Sequence, residues 1–377
     1  MLNVRHPGQE QELLVISYLN YLIKKAIFFK GTVWGFPTHR LIRHYAIVLQ
    51  YHSISPKQSP FASYINTTLS IEPDAFDRQM RFISRHYRVM KMDEIFSYLS
   101  KRDQDHDPRR RVVITFDDGY RDNYLYAYPI LKKYNLPATF YLTVDCIENR
   151  APLWTALLNS LVTKGRSNHL EVPSLGRVYL TRTEKNRMES VKDIKHLILP
   201  MSRKQREQTI SEIKVASKAT PQKGDDELML SMEEVKEMSR NGMVFGSHTL
   251  SHPSLPYVPR EEAWIEISQS KETLERDLGT PVVHFSYPNP GNKINLNSDI
   301  KQMVKEAGYL SAATSINGYV DHGGDPFELR RKGIYRKLSS LSDFNFWIEK
   351  EGIVKSIEKY GLRPAKVSKS MAASKSL

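Results

Sequence analysis

The sequence predicts an α/β protein: a distorted (β/α) barrel of the TIM-like kind, with about seven strands and a helical insertion. Three observations point there. Short β-branched or aromatic runs such as Val112–Phe116 (VVITF) and Ala138–Leu142 (ATFYL) alternate with amphipathic helical patterns, the signature of βαβ units and a parallel sheet. Polar residues with useful chemistry follow directly on the ends of those runs, where a barrel builds its site. The 377 residues suit one barrel with insertions, or two average domains.

Ala46–Gln50 (AIVLQ), leading into Tyr51-His52-Ser53, reads as the first buried strand. Pro73 opens a helix whose Phe76, Met80, Ile83 and Tyr87 form a stripe of period 3.6. Asp93–Leu99 is a second, short helix. Val112–Phe116 is a strand ending at Asp117-Asp118-Gly119; a helix follows to about Tyr134, and Ala138–Leu142 is the next strand. Residues 150–228 lack comparable strand runs and read as an inserted helical region. Ser231 and Glu234 form a capping box for a helix that ends at Asn241-Gly242. Strands at Met243–Gly246, Val282–Tyr287 and Tyr309–Ala313 alternate with helices at Arg260–Leu278 and Asp299–Ala307, and Ile334-Tyr335 lie in a further strand. The expected organisation is an N-terminal helical segment (1–45), the barrel (46–345) and a C-terminal helix with a basic tail (346–377).

Composition narrows the chemistry. Cys146 is the only cysteine, which excludes a disulfide framework and a Cys-rich zinc site; a metal here must use His and carboxylates. Lys and Arg exceed Asp and Glu by 55 − 42 = 13. That excess is scattered over 101–111, 185–206 and the tail, with neither zinc-finger spacing nor an aromatic-basic RNA-binding box, so it reads as solvated surface and no nucleic-acid partner is expected. The opening MLNVRHPGQEQELL lacks the pattern of a secretory signal. Lys24 and Lys25 interrupt the apolar Leu13–Phe29, leaving it too short to span a bilayer; it suits a helix packed on the domain or one lying on a membrane surface. The expected location is cytoplasmic, with peripheral contact at the inner membrane face as the alternative.

Two constellations carry chemistry. In His248-Thr-Leu-Ser-His252 two imidazoles stand four residues apart just beyond a strand, within reach of one cation if the turn is helical. At Phe116-Asp117-Asp118-Gly119 two carboxylates follow another strand. Adjacent aspartates can divide two tasks, one binding a cation and the other facing a water. They cannot flank a glycosidic bond from opposite sides at the roughly 5–9.5 Å that glycosidases need.

TFDDGY, HTLSHP and FSYPNPG, in that order, resemble the motifs of the polysaccharide deacetylase family, carbohydrate esterases similar to chitin and chitooligosaccharide deacetylases. The resemblance covers roughly Ala46 to Arg336. It implies a distorted β/α barrel, a divalent metal (usually zinc) held by Asp-His-His, and hydrolysis of N-acetyl groups on an N-acetylhexosamine glycan, here a bacterial exopolysaccharide or cell-envelope glycan. It further implies that Asp118, His248 and His252 are the metal ligands, that Asp117 is the general base, and that the backbone N–H of Tyr287 supports the oxyanion.

The chain departs from the usual pattern twice. Phe285-Ser286-Tyr287-Pro288-Asn289 lacks the arginine that precedes Pro-Tyr in the third motif. Leu329-Arg330-Arg331 resembles a Leu-x-Arg element of the biofilm-polysaccharide deacetylases, so Arg331 is expected to supply that cation, with Arg330 its rival. No terminal Leu-x-His follows Arg331. The first strand has that character instead and resembles the opening strand of the circularly permuted biofilm-polysaccharide enzymes, so His52 is the expected general acid and His322 its rival. The other histidines, His284 among them, read as structural, and Tyr120 and Trp154 as core or groove wall. The alternative function is a catalytically silent glycan-binding barrel, which would have no need of intact Asp117, Asp118, His248 and His252.

Overall fold

Seven parallel strands close into a ring: β1 (Tyr45–Tyr51), β2 (Arg110–Phe116), β3 (Thr139–Leu142), β4 (Val244–Ser247), β5 (His284–Ser286), β6 (Ser311–Asn317) and β7 (Leu329–Gly333). Each strand pairs with the next in sequence. β1 closes the ring by pairing with both β2 (Tyr51 opposite Phe116) and β7 (Leu49 opposite Lys332). The computed structural model describes residues 45–349 except 60, 61, 63, 66, 101–106, 108, 221–226 and 289–295. The expected Leu13–Phe29 helix, the basic tail, part of the 101–111 basic run and Asn289-Pro290-Gly291 of the third motif therefore lie outside the described residues. Tyr45–Phe344 forms one compact unit; of the second unit only 345–349 are described.

The period of two along each strand sorts the barrel into two faces. Ala46 and Val48 of β1, Val113 of β2, Tyr141 of β3, Ala313 of β6 and Leu329 of β7 share one buried cluster. One pleat further along, that face turns polar: Gln50, Thr115, Ser315 and Arg331. The opposite face is aromatic. Tyr51, Phe116, Phe140 and Phe245 stack in series across β1–β4, with ring centroids 4.7–5.7 Å apart. Phe76 of α1 (Pro73–His86) meets Tyr51 and Phe116 edge-on. Apolar residues thus hold the helices outside and fill the base inside, while the C-terminal rim is left for polar side chains.

The inserted region contains α2 (Trp154–Lys164), α3 (Glu184–Ile198) and α4 (Arg203–Ser217) around its own apolar cluster, which includes Leu158, Leu170, Ile194 and Ile213. It also contains a two-stranded hairpin, His169–Val172 with Arg177–Leu180, where only helices were expected. Its period-2 signal is short and half-exposed, so it does not stand out from charged helical sequence. α5 (Met232–Arg240) starts at the expected Ser231–Glu234 capping box, and α6 (Arg260–Leu278) and α7 (Ser298–Glu306) complete the outer layer among the described residues.

Two expectations are corrected. Tyr87 does not extend α1; it opens a short strand, Tyr87–Val89, alongside β2. The last barrel strand is Leu329-Arg-Arg-Lys-Gly333 and stops before Ile334-Tyr335. It lacks an apolar signature because Arg331 and Lys332, both fully buried, occupy positions that a strand normally fills with apolar side chains.

Phe116 touches three aromatic neighbours at the junction of β1, β2, β3 and α1. Phe116→Ala should cost about 3–5 kcal/mol of folding stability, measured by urea denaturation, with the native fold otherwise retained.

Candidate active site and metal centre

The rim is built from strand ends. β2 delivers Asp117 and Asp118, β4 delivers His248, β5 delivers Ser286, and β1 delivers Gln50 and His52. Asp118, Thr249 and His252 all have positive φ (76°, 70° and 60°). That conformation is rare for residues with a Cβ, above all for a β-branched one, and it persists only where the surroundings over-determine it. Here they do. The Asp118 carbonyl accepts from the Thr143 N–H (3.4 Å), the Thr249 carbonyl from the Val144 N–H (3.1 Å), and the His252 N–H donates to Thr249 Oγ1 (3.0 Å). Gly246 lets β4 pass close to its neighbours: a Cβ there would stand 2.7 Å from the His284 carbonyl and from the Tyr141 ring.

Asp118, His248 and His252 are buried, and one ligand atom from each lies within 4.8 Å of the other two. Asp118 Oδ1 is 3.6 Å from His248 Nε2 and 3.4 Å from His252 Nε2. Ligands about 2.1 Å from a tetrahedral centre stand about 3.4 Å apart, so the cluster fits one divalent cation with a position left open. His248 Nδ1 is 2.7 Å from the Ser286 carbonyl and donates to it, which leaves the Nε2 lone pair facing the cluster. Burial lowers the His248 pKa to about 4, keeping the ring neutral as a ligand must be. Burial opposes ionisation of Asp118, but His252 beside it holds the carboxyl below its ordinary value. Tyr120 is buried with its hydroxyl on Asp118.

Asp117 lies alongside in a different environment. Arg331 Nη1 donates to its Oδ1 and Nη2 to its Oδ2, each at 2.7 Å, and Gln50 Nε2 donates to Oδ2 at 2.8 Å. Both partners of the ion pair are buried. Burial pushes the carboxyl up, yet the Arg331 charge, His248 and the Arg331 hydrogen bonds outweigh it and hold Asp117 far below the carboxylate range. Arg331 is itself fixed by the Thr314 carbonyl (2.8 Å), Thr115 Oγ1 (3.2 Å) and Ser286 Oγ (2.9 Å). The strand pleat decides between the two arginines: Leu329 and Arg331 point inward, and Arg330 is exposed.

His52 sits just past β1, partly exposed, with its charge felt by both Asp117 and Asp118. His322 is far from them. It follows Val320–Asp321, which pairs with Tyr45–Ala46 at the opposite end of β1, and its Nδ1 donates to the Tyr98 carbonyl (2.6 Å). Seven residues of strand separate the two ends, roughly 20 Å, which removes His322 as a rival acid. The Tyr287 N–H donates to the Ala313 carbonyl at 3.0 Å and its hydroxyl to the Phe327 carbonyl at 3.2 Å. The expected oxyanion donor is thus engaged in the barrel wall. His284 is buried between Ser311 and Asp93, a core residue as expected.

Several residues without a sequence signal share this rim. Gln50 and Ser286 support Asp117 and Arg331. Trp154 of the insertion donates from Nε1 to the His252 carbonyl (2.9 Å), and Arg206 Nη2 reaches Ser251 Oγ (2.6 Å). Lys195 of α3 feels the charge of Asp118, which partly offsets the lowering of its pKa by burial. Asp122 is buried beside the exit of β1, and burial pushes its carboxyl up to about 7 against hydrogen bonds from Ser53 and Ile54. Only pairing across the fold reveals these residues.

A closed parallel barrel with a carboxylate–imidazole–imidazole cluster at its C-terminal rim, beside an arginine-paired carboxylate, defines a class of β/α barrel with a candidate divalent-metal centre. The family model described as polysaccharide deacetylase matches residues 104–312, more than half of the chain. The chain belongs to the polysaccharide deacetylase family. It is 32% identical over 136 residues to the Bacillus subtilis (strain 168) protein YxkH, covering 34% of this chain and 44% of that one. It is 30% identical over 111 residues to the poly-β-1,6-N-acetyl-D-glucosamine N-deacetylase of Staphylococcus epidermidis, covering 27% and 37%. The matches therefore span less than half the length of these relatives. Among solved structures, the Streptococcus pyogenes deacetylase PplD shares the fold with TM-score 0.53 at 20% identity, over 80% of this chain and 96% of that one. IcaB from Ammonifex degensii does so with TM-score 0.50 at 18% identity, over 81% and 97%.

Arg331→Met should leave Asp117 buried without its cation and cost about 3–5 kcal/mol in chemical denaturation at neutral pH. A carboxyl with a depressed folded pKa contributes stability that is full above its unfolded pKa, about 3.9, and is lost as pH falls through the folded value. In the variant, burial without the guanidinium instead raises the Asp117 pKa, so the variant regains stability as pH falls through that raised value, and the gap from wild type should be widest at pH 8 and narrow steadily toward acid.

Proposed function

We propose that this protein is a metal-dependent hydrolase that removes N-acetyl groups from an N-acetylhexosamine-containing glycan, a bacterial exopolysaccharide or cell-envelope polymer. The observation that carries the reading is the Asp118–His248–His252 cluster set directly beside the Arg331-held Asp117 at one barrel rim. Family membership and the likeness to a poly-β-1,6-N-acetyl-D-glucosamine N-deacetylase support the substrate class.

In this reading Asp118, His248 and His252 hold a divalent cation, most simply Zn2+, which when bound would acidify a water and polarise the amide carbonyl. Asp117 orients the attacking water and takes its proton. Arg331 and Gln50 hold both carboxylate oxygens in place, and the Arg331 charge favours the ionised form of Asp117. The water oxygen bonds to the acetyl carbon, the C–N bond breaks, and the amine must gain a proton because an amide anion is a very poor leaving group. His52, at the exit of β1 beside the strand that delivers Asp117, is the proton donor. Ser286 couples the two halves: its carbonyl fixes the His248 tautomer and its hydroxyl accepts from Arg331. The Tyr287 amide has no part in this scheme, being bonded to Ala313.

Acetate release from β-1,6-linked N-acetylglucosamine oligomers, with chitin oligomers in parallel, tests the reading. Chelation should abolish release and Zn2+ should restore it. Asp117→Asn and His52→Ala should each lower kcat by about 10²–10⁴-fold with metal content unchanged. Absence of release with any divalent metal would leave the silent glycan-binding barrel in its place.

A further inference from the structure

The His52 ring has little of its own to hold it. Its Nδ1 is buried and finds no hydrogen-bond partner among the described residues. With no bond at Nδ1 to anchor the ring, the position of the imidazole depends on the backbone that carries it, and that backbone is gripped. Asn123 Nδ2 donates to the His52 carbonyl at 3.1 Å. Asp122 Oδ2 accepts the Ser53 hydroxyl, and the same carboxyl accepts the Ile54 N–H. Three successive residues leaving β1 are thus held by two successive residues at the start of the helix that follows the Asp117-Asp118-Gly119 turn. On its other side the segment is only a two-residue ladder, Ser53–Ile54 on Ser70–Ile71.

The turn that leads into that helix is bonded to the segment just before α5. The Gly119 carbonyl accepts from the Leu230 N–H (3.0 Å), and the Arg121 N–H donates to the Leu228 carbonyl (2.9 Å). Asp122 and Asn123 are both fully buried, and Asp122 Oδ1 is itself without a partner among the described residues. A buried carboxyl with one unpaired oxygen is a costly way to stabilise a loop.

We propose that Asp122 and Asn123 are positioning residues that lock the loop carrying His52 to the loop carrying Asp117 and Asp118, so that proton donor and base keep a fixed separation. The inference rests on the reading of His52 as the proton donor. Because Asp122 acts here as a hydrogen-bond acceptor toward Ser53 and Ile54, Asn, whose Oδ1 can accept, should serve in its place, whereas Ala should not.

The test compares two substrates on the full-length, zinc-loaded protein. An N-acetylglucosamine oligomer has an amine leaving group that requires a proton; 4-nitrophenyl acetate has one that does not. Asp122→Ala and Asn123→Ala should lower kcat on the oligomer about 10–100-fold, with KM and bound zinc unchanged, and leave ester hydrolysis within about twofold. Asp122→Asn should restore the oligomer rate, and His52→Ala should show the same split, only larger. If His52→Ala shows the split and the Asp122 and Asn123 variants lose both substrates equally, or lose zinc, the clamp is merely structural and the inference falls while His52 stands. If His52→Ala shows no split, His52 is not the donor and both fall. Should Asp122→Ala fail to fold, Ser53→Ala, which removes a single hydroxyl donor, gives the same two-substrate comparison.

Discussion

The structure depends on one interaction, the buried ion pair between Arg331 and Asp117. Both groups are out of water, and each is costly to bury alone. The barrel offsets that cost by satisfying nearly everything around them: both carboxylate oxygens take a guanidinium N–H, Gln50 adds a third donor, and Thr314, Thr115 and Ser286 take the remaining guanidinium protons. The participants come from β1, β2, β5, β6 and β7. A pair satisfied by five strands fixes the register of all five at the rim, so the apolar base supplies most of the stability and the polar rim supplies the alignment. It also sets the chemistry: Asp117 is kept ionised and aimed, while its sequence neighbour Asp118, turned by a positive φ, faces the two imidazoles.

The Asp118–His248–His252 cluster is held by a strained backbone and by an outside brace. Asp118, Thr249 and His252 sit in a backbone region that each would leave if freed. Much of the bracing comes from beyond the barrel. Trp154 and Arg206 belong to the inserted region, which has an apolar core of its own, and they grip the His252 carbonyl and the Ser251 hydroxyl. Glu266 of α6 takes the Ser251 N–H (2.8 Å) from the other side. The insertion is therefore part of the site's scaffold, and Lys195 brings a cation to the same neighbourhood.

What the sequence shows of this follows from range. The barrel class and most strands are legible because β-branched runs and helical stripes are local signals. The cluster residues are legible because Asp117-Asp118 and His248-x-x-x-His252 are local motifs at strand ends. The pleat of β7 separates Arg331 from Arg330, and β7 hides because two of its buried residues, Arg331 and Lys332, are charged. Gln50, Ser286, Asp122 and Asn123 carry no local signal at all; their partners are tens to hundreds of residues away. The Tyr287 amide illustrates the converse. A motif position suggests a free donor, but β5 and β6 run parallel side by side, and the N–H that continues their ladder is taken by Ala313.

The placement of His52 just past the first strand, ahead of both aspartates, the imidazole pair and Arg331, follows from closure. In an open sheet the first and last strands are edges, and exchanging them changes which groups are paired. In a ring each strand needs only its two neighbours. β1 has them in β2 and β7, so the position it fills lies between the strand carrying Asp117 and the strand carrying Arg331. A strand moved from the end of the chain to its beginning would keep both neighbours and the same rim geometry. Among the described residues β1 is tied in by its ladders, and its exit is gripped by the residues that follow the aspartate motif.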